Sequence, residues 1–578
     1  MARPNEEVAA VLQEYAGLLA ITGQDAFKAR AYEKAARAVA GHPADIGRLD
    51  EADLRQIPGV GRSIAGKITE YLETGRIPAL EETRTQIPPG VRELVAVPDL
   101  GPRKAMTLHR ELGVSSVDEL AAAARAGRVR DLKGFGERTE AHILHGVELM
   151  RQAGDRILLD AATGIAGEIA AALREVPGCA DCAPAGSLRR MKETVGDIDI
   201  LVAARDPGPF MEALTRLPLA AETVVHGDKK TSVRTSAGLQ VDLRVLPPEA
   251  WGSGLLYFTG SRAHNVRVRE IAVRHGLKLS EYGLFDAETG KPVASAAREE
   301  DLYAALGLPW IPPAMREDRG EIAAALRGEL PGPVTVDDLR GDLHTHTDLT
   351  DGVASLEDMA AAAARRGYSY WAVTDHAPGL AMQRMTDEKI LRQREQLRAL
   401  ARRHRGMRLL HGAELNIDEH GGVDWPAEFL AGFDVCVASV HSHFGLGRRE
   451  QTRRLVRACE NPHVHIIGHP TTRRIGRRPG IDADLDEVFA ACARTGTALE
   501  INGSPHRLDL RDEDILRARR YGVRFAVDSD AHSTAELDQV RYGVGTAQRG
   551  WLTTDDVINT WPPARLRRFL RKDRARAD

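Results

Sequence analysis

The sequence predicts a multidomain protein of α+β and α/β class, with a helical amino-terminal region, a mixed strand-and-helix centre and a barrel-like parallel βα unit at the carboxyl end. Three observations predict it. The chain has 578 residues, more than one ordinary hydrophobic core organises. Residues 1–150 are Ala-rich, periodic and punctuated by Gly and Pro, whereas alternating strands such as "GDIDILVAA" and "GLQVDLRVL" enter after about 155. From about 339 onward, "YWAVTDH", "MRLLHGAEL", "DVCVASVHS", "VHIIGHP", "TALEING" and "RFAVDSDAH" alternate with helices, as in a parallel barrel.

Composition excludes several classes. At 43% hydrophobic and 28% charged, the chain has the make-up of a soluble globular protein. No apolar run approaches the roughly 18–20 residues of a membrane span, and the opening residues do not read as a signal peptide. A cytoplasmic protein without membrane contact is expected. Five scattered cysteines do not make a disulfide framework, and "CADC" at 179–182 lacks a second pair at zinc spacing. A net charge of −4 means that any nucleic-acid contact rests on local patches and backbone amides.

The amino-terminal region repeats one pattern: "LRQIPGVGRSIAGKI", "LVAVPDLGPRKAMTL" and "VRDLKGFGERTEAHIL". Each has an apolar lead-in, a glycine turn (Gly59 and Gly61; Gly101; Gly134 and Gly136) and a helix opening with cations. Glycine permits the tight turn, and the free N–H groups of the second helix then face a phosphate. This helix-hairpin-helix pattern suits a DNA backbone and ignores base sequence. Lys+Arg and Asp+Glu nearly balance over 1–150, so amides would carry the contact.

In the centre, "AGSLRRMKETVGDIDILVA" puts Asp197 and Asp199 two apart on a strand, hence on one face. Paired carboxylates on a sheet are costly unless divalent cations neutralise them, and oxygen donors select Mg²⁺ or Mn²⁺. Asp242, in "QVDLRV", could complete the site and accept a hydroxyl proton. Gly186 and Ser187 form a small turn suited to phosphates, beside Arg189 and Arg190. This constellation points to a nucleotidyltransferase.

These residues resemble the bacterial form of the family X DNA polymerases, and the resemblance covers nearly the whole chain. It implies a nucleotidyltransferase palm and thumb, gapped or nicked DNA and dNTPs as substrates, Mg²⁺ or Mn²⁺ at the polymerase site, and a monomer. Asp197, Asp199 and Asp242 match the catalytic acids. Gly186, Ser187 and Arg190 match the triphosphate turn, although Met191 stands where a glycine is common. "YFTGS" gives nucleotide contacts to Tyr257, Phe258 and Gly260, and the next helix to Asn265 and Arg269; Glu281 and Tyr282 fall at the thumb position that favours closure. Lys28 and Tyr32 match parts of a 5′-phosphate pocket. Lys67 stands where a lyase nucleophile would, with a phosphate contact as the alternative, because Ser63 replaces a lysine common in strong lyases.

The barrel carries His344, His346, Asp351, His376, Glu414, His441, His469, Asp530 and His532, most of them at predicted strand ends, where barrels build active sites. Nine N/O donors exceed the needs of one tetrahedral zinc. They resemble the full ligand pattern of a PHP domain, which implies a distorted (β/α)7 barrel, two or three Zn²⁺, Mn²⁺ or Fe²⁺ ions and phosphoester hydrolysis; Thr350 stands where a serine is usual. Asp375 and Asn502 are candidates to orient ligands.

The expected boundaries are 1–85 for a DNA-end-binding domain, 86–152 for fingers, 153–247 for palm, 248–314 for thumb, 315–338 for a linker with one short helix, and 339–578 for PHP. The expected function is short-gap filling in DNA repair with 3′–5′ exonuclease activity, to which 3′-phosphatase or AP endonuclease action could add. The alternatives are template-independent nucleotide addition, a small-molecule phosphatase of histidinol-phosphate type, and a non-catalytic DNA-end scaffold.

Overall fold

A computed structural model describes residues 4–572 apart from 23–25, 41, 43, 96, 98–99, 154–155, 237, 381–382 and 384. Part of the second hairpin turn and the last basic residues, 573–578, therefore lie outside the described residues. Among those described, no helix is long and apolar enough to cross a membrane.

The amino-terminal region is helical throughout. Pro4–Thr22 and Ala26–Ala40 form an antiparallel pair, followed by Glu51–Leu54, Arg62–Thr74, Pro78–Gln86, Pro89–Val95, Pro102–Leu112, Val117–Arg125 and Glu137–Ala153. One apolar cluster runs from Val8 to Val147 through these helices, and Val353 of the carboxyl-terminal module joins it. Asn5 pins the loop after the first pair, donating to the carbonyls of His42 and Ala44 at 2.9 Å and accepting from the Ile46 amide at 2.9 Å.

The palm is a five-stranded sheet in the order Asp181–Pro184, Asp197–Ala203, Gln240–Leu246, Lys230–Thr235, Ala220–His226. The second and third strands are parallel, with Asp199 opposite Asp242. The thumb follows as Trp251–Thr259, Arg262–Arg274, a hairpin of Leu277–Ser280 with Gly283–Asp286, and Glu299–Ala305. Buried Glu299 locks thumb to palm. It accepts two bonds from Arg189, one from fully buried Arg316 at 2.6 Å and one from Trp310 at 3.2 Å. Burial opposes the charge, yet Arg316 and Arg189 hold its carboxyl down at about 2. Residues 315–338 carry one short α-helix, Glu321–Leu326, and Arg316 and Glu321 are fully buried.

The carboxyl-terminal module is a seven-stranded parallel sheet in sequence order, from Gly341–Asp342 to Phe525–Asp528. A Thr345–Ala531 bridge brings the chain after the last strand beside that after the first, so the barrel nearly closes. Along this seam Asp528 accepts from the Leu343 amide and from Asn559, both at 2.8 Å. The distorted seven-stranded barrel is as expected.

Truncating Glu299 would strand Arg316 inside the thumb, at a cost of about 3–5 kcal/mol. Glu299→Ala should therefore lower the urea midpoint of the polymerase half and open residues 248–320 to protease. Unchanged unfolding and proteolysis would show that the joint is held otherwise.

Candidate functional site

The structure builds two centres. In the first, parallel pairing puts Asp197, Asp199 and Asp242 on adjacent strands. Burial, then Asp197 and Asp242, push the Asp199 carboxyl up to about 7. Asp242 goes the other way: burial opposes its charge, but Lys230 at 2.6 Å, Ser232 and Gln240 hold it below the usual range. Lys230 escaped the sequence reading because its partnership crosses from a neighbouring antiparallel strand; "DKKTSV" carries no spacing signal for it.

The turn beside these acids is fixed by space. Gly186 has φ +58°, and a Cβ there would lie 2.3 Å from Asp199 Oδ2. Ser187 follows it on the short helix Gly186–Arg189. Met191 has φ +55°, the left-handed conformation that the usual glycine would supply. Arg190 does not stand free: Nε donates to Glu317 at 3.0 Å and Nη1 to the Thr259 carbonyl. Tyr257 and Phe258 end the helix Trp251–Thr259, which Gly260 terminates at φ +70°. Asn265 Nδ2 donates to the Tyr257 carbonyl at 2.6 Å, and the Arg269 guanidinium lies 5.6 Å from the Tyr257 ring centre. Exposed Tyr282 has Lys229 over its ring.

In the amino-terminal region Gly59 and Gly134 take positive φ and are exposed, as are Gly61, Gly101 and Gly136. No side chain caps the helix starts at Gly61 and Gly101, which leaves amides for an anion. Lys67 lines a cavity with Glu51, Arg62, Ser63, Gly66 and Glu70, its Nζ 3.4 Å from Ser63 Oγ. Lys28 is exposed, its ammonium over Tyr15; Tyr32 is buried edge-on against the same ring, 4.7 Å between centres.

The second centre lies at the carboxyl ends of the barrel strands. Glu414, 1% exposed, stands among five imidazoles: His376 at 2.8 Å, His469 at 3.0 Å, His441 at 3.2 Å, His344 at 3.5 Å and His346 at 3.6 Å. Among the described residues, three groups have donor atoms close enough to share an ion: His346, Asp351, His376 and His532; His344, His346 and Asp530; His376, Glu414 and His441. All nine expected ligands are thus in one cluster, His469 joining through Glu414. His346 Nδ1 and His469 Nδ1 are buried without a hydrogen-bond partner. Orphaned donors of this kind fit divalent ions. Burial resists the charged forms, yet Asp351, Glu414 and Asp530 are held well below the usual range by neighbouring imidazoles. Against the same resistance, their carboxylates raise His376 to about 10 and His532 to about 9.

Supporting residues complete the site. Asn502 donates to Asp530 at 3.0 Å. Asp375 touches no ligand atom; it organises the His346–Asp351 loop by accepting from the Thr347 amide at 2.8 Å and from Thr350 Oγ1 at 2.6 Å, so the hydroxyl that serine usually supplies is kept. Glu500 escaped the sequence reading. Fully buried on the sixth strand, it lies 2.6 Å from His344 Nδ1 and fixes that ring. Arg507 also escaped: it sits 3.8 Å from Asp530 with a buried, unpartnered Nη1, beside Arg474.

Four segments match known families: a helix-hairpin-helix domain over 3–77, a SAM-like helix-hairpin-helix tandem over 91–146, the DNA polymerase beta thumb over 254–317, and the PHP domain over 342–504. The chain is 34% identical to the DNA polymerase/3′-5′ exonuclease PolX of Bacillus subtilis (strain 168), over 98% of this chain and 99% of that one. It is 26% identical to DNA polymerase lambda of Rattus norvegicus over 51% of this chain and 53% of that one. A probable phosphatase of Syntrophotalea carbinolica is 31% identical over 38% of this chain and 90% of its own length.

The raised Asp199 carboxyl ties cation binding to pH. Its proton must leave before a cation is held, so Mn²⁺ affinity at the palm acids should rise between about pH 6 and 8 and level off above. Asp199→Asn should abolish that dependence; a pH-independent wild type would refute the electrostatic reading. Gly186→Ala, whose methyl displaces the Asp199 carboxylate, should weaken the same binding at least about tenfold in Mn²⁺ titration.

Proposed function

Because this chain belongs to the family X DNA polymerases, in the PolX form that joins a polymerase β-type thumb to a PHP domain, we propose that it fills short gaps in DNA during repair and that its barrel centre removes nucleotides from 3′ ends. The observation that carries this reading is that one polypeptide holds both donor sets: three acids on paired palm strands, and nine N/O donors, Glu414 among them, clustered in the barrel.

In the polymerase half, the Gly186–Ser187 turn and Arg190 hold the triphosphate while Tyr257 and Phe258 pack sugar and base. Asn265 keeps that segment in place through the Tyr257 carbonyl. Asp197, Asp199 and Asp242 would hold Mg²⁺ or Mn²⁺, which would supply charge neutralisation at phosphate and lower the pKa of the primer hydroxyl. Asp242, kept ionised by Lys230, is ready to take the 3′-hydroxyl proton. The hairpin glycines present amides to the DNA backbone, Lys28 and Tyr32 belong to the 5′ side of a gap, and Lys67 contacts phosphate or attacks an abasic sugar.

In the barrel half, the nine donors would hold two or three ions from Zn²⁺, Mn²⁺ and Fe²⁺, which would supply an acidified water and charge neutralisation at phosphate. Glu500 fixes the His344 ring, Asn502 orients Asp530, and Arg507, beside Asp530 with an Nη1 that makes no hydrogen bond, is the cation offered to phosphate. The protein works as a cytoplasmic monomer on gapped or nicked DNA and dNTPs. A small-molecule phosphatase is the second reading, favoured by the similarity of the barrel alone to probable phosphatases; phosphate release from histidinol phosphate without shortening of DNA would establish it.

The decisive assay follows a labelled gapped duplex with and without dNTPs. Asp197→Ala should abolish extension and spare shortening, and His344→Ala should do the reverse, each loss exceeding about 10²-fold. A single change that removes both activities would overturn the two-centre reading.

A further inference from the structure

We propose that the barrel helix Val540–Arg549 is a supporting wall of the polymerase's nucleotide site, with Arg549 the positioning residue that sets the triphosphate turn. The inference rests on the reading above of Gly186–Arg190 as that turn.

Three contacts carry it. First, Arg549, 3% exposed, donates from Nη1 to the main-chain carbonyl of Arg190 at 2.8 Å. Secondly, the same Nη1 donates to Glu317 Oε1 at 2.9 Å, and that oxygen also accepts from Arg190 Nε at 3.0 Å. Arg549 thus grips Arg190 at its backbone and through its side-chain partner. Asp512 holds the other edge of the Arg549 guanidinium, accepting from Nε at 2.8 Å, and Arg319 binds the same carboxylate at 3.0 Å. Thirdly, Met191 leaves the turn at φ +55° and lies against Gly545, one helical turn from Arg549. A Cβ at 545 would come within 2.5 Å of Met191 Cε and 3.0 Å of its Cβ.

The left-handed conformation of a methionine costs about 1 kcal/mol relative to glycine and persists where surroundings enforce it. Here the barrel helix does so, and Met191 exchanges the freedom of a glycine for contact with that helix. Neighbouring contacts extend the wall. Leu508 and Tyr542 of the barrel complete the palm's apolar cluster, and Arg473 pairs with Glu193 at 2.7 Å. The far end of the Arg190 guanidinium bonds the Thr259 carbonyl, beside Tyr257 and Phe258. A shift of Arg549 therefore reaches both the phosphate turn and the sugar-packing segment, while none of its hydrogen-bond partners is a barrel ligand.

The test uses the full-length, metal-loaded chain and reads steady-state gap filling against dNTP, with single-strand 3′ shortening as the internal reference. Arg549→Gln should raise the KM for dNTP about tenfold with a smaller change in kcat, and leave shortening within about twofold. Arg549→Lys, which keeps the charge but not the fork, should recover part of the loss. Glu317→Gln should raise KM similarly, and the double variant no further, because both act through one contact chain. Gly545→Leu pushes Met191 without touching a charge and should raise KM in the same way. An unchanged KM in Arg549→Gln, additive effects in the double variant, or equal losses of extension and shortening would overturn the proposal. Arg190→Ala separates its failure from that of the premise. If Arg190→Ala raises KM and Arg549→Gln does not, the turn binds nucleotide without the barrel's help. If neither does, the turn itself has been misassigned.

Discussion

Glu414 sets the terms for the barrel. A carboxylate buried to 1% is worth several kcal/mol of destabilisation unless compensated, and here the compensation is a shell of imidazoles delivered by other strand ends. Burying those rings creates its own deficit, because Nδ1 of His346 and Nδ1 of His469 then make no hydrogen bond. Cations close the account for acids and imidazoles together. The βα repeat follows from this need, since it brings successive strand ends to one mouth and lets each add a donor. Even the strand without a ligand contributes, as Glu500 orients His344 from behind.

The palm solves the same problem more loosely. Its three acids share two parallel strands, and Asp242 is ion-paired with Lys230. Burial and the two neighbouring acids push the Asp199 carboxyl up, a penalty that a divalent cation would relieve. Gly186 belongs to this arrangement because any side chain there would occupy the Asp199 carboxylate's place. The modules are not beads on a string. Val353 enters the amino-terminal core, Leu508 and Tyr542 enter the palm's, and Glu299 joins palm to thumb. A barrel so placed can serve hydrolysis at one end of its strands and support synthesis through a flanking helix.

Much of this was legible in the sequence because the donors sit at pattern positions. Alternation put Asp197 and Asp199 on one face, and strand ends ending in His, Asp or Glu marked the barrel's mouth. What stayed hidden was partnership across long separations. Lys230 reads as one of two lysines in a turn, Glu500 as a polar interruption in a strand, and Glu317 as part of an acid-rich connector. Arg549 has no local signal at all, since its partners lie 37 to 359 residues away. Met191 was visible as a departure from the family pattern, but its meaning needed Gly545, which only folding brings beside it.

The claim on which the account turns is that the buried acids and imidazoles of the barrel exist to hold cations. Metal content per chain, measured by elemental analysis after reconstitution and removal of free ions, tests it most directly on wild type and on Glu414→Gln, which keeps the shape and removes the charge. The account predicts about two or three tightly held transition-metal ions in the wild type and loss of at least one in the variant. Equal metal content in the two proteins, or a wild type that retains none, would contradict it.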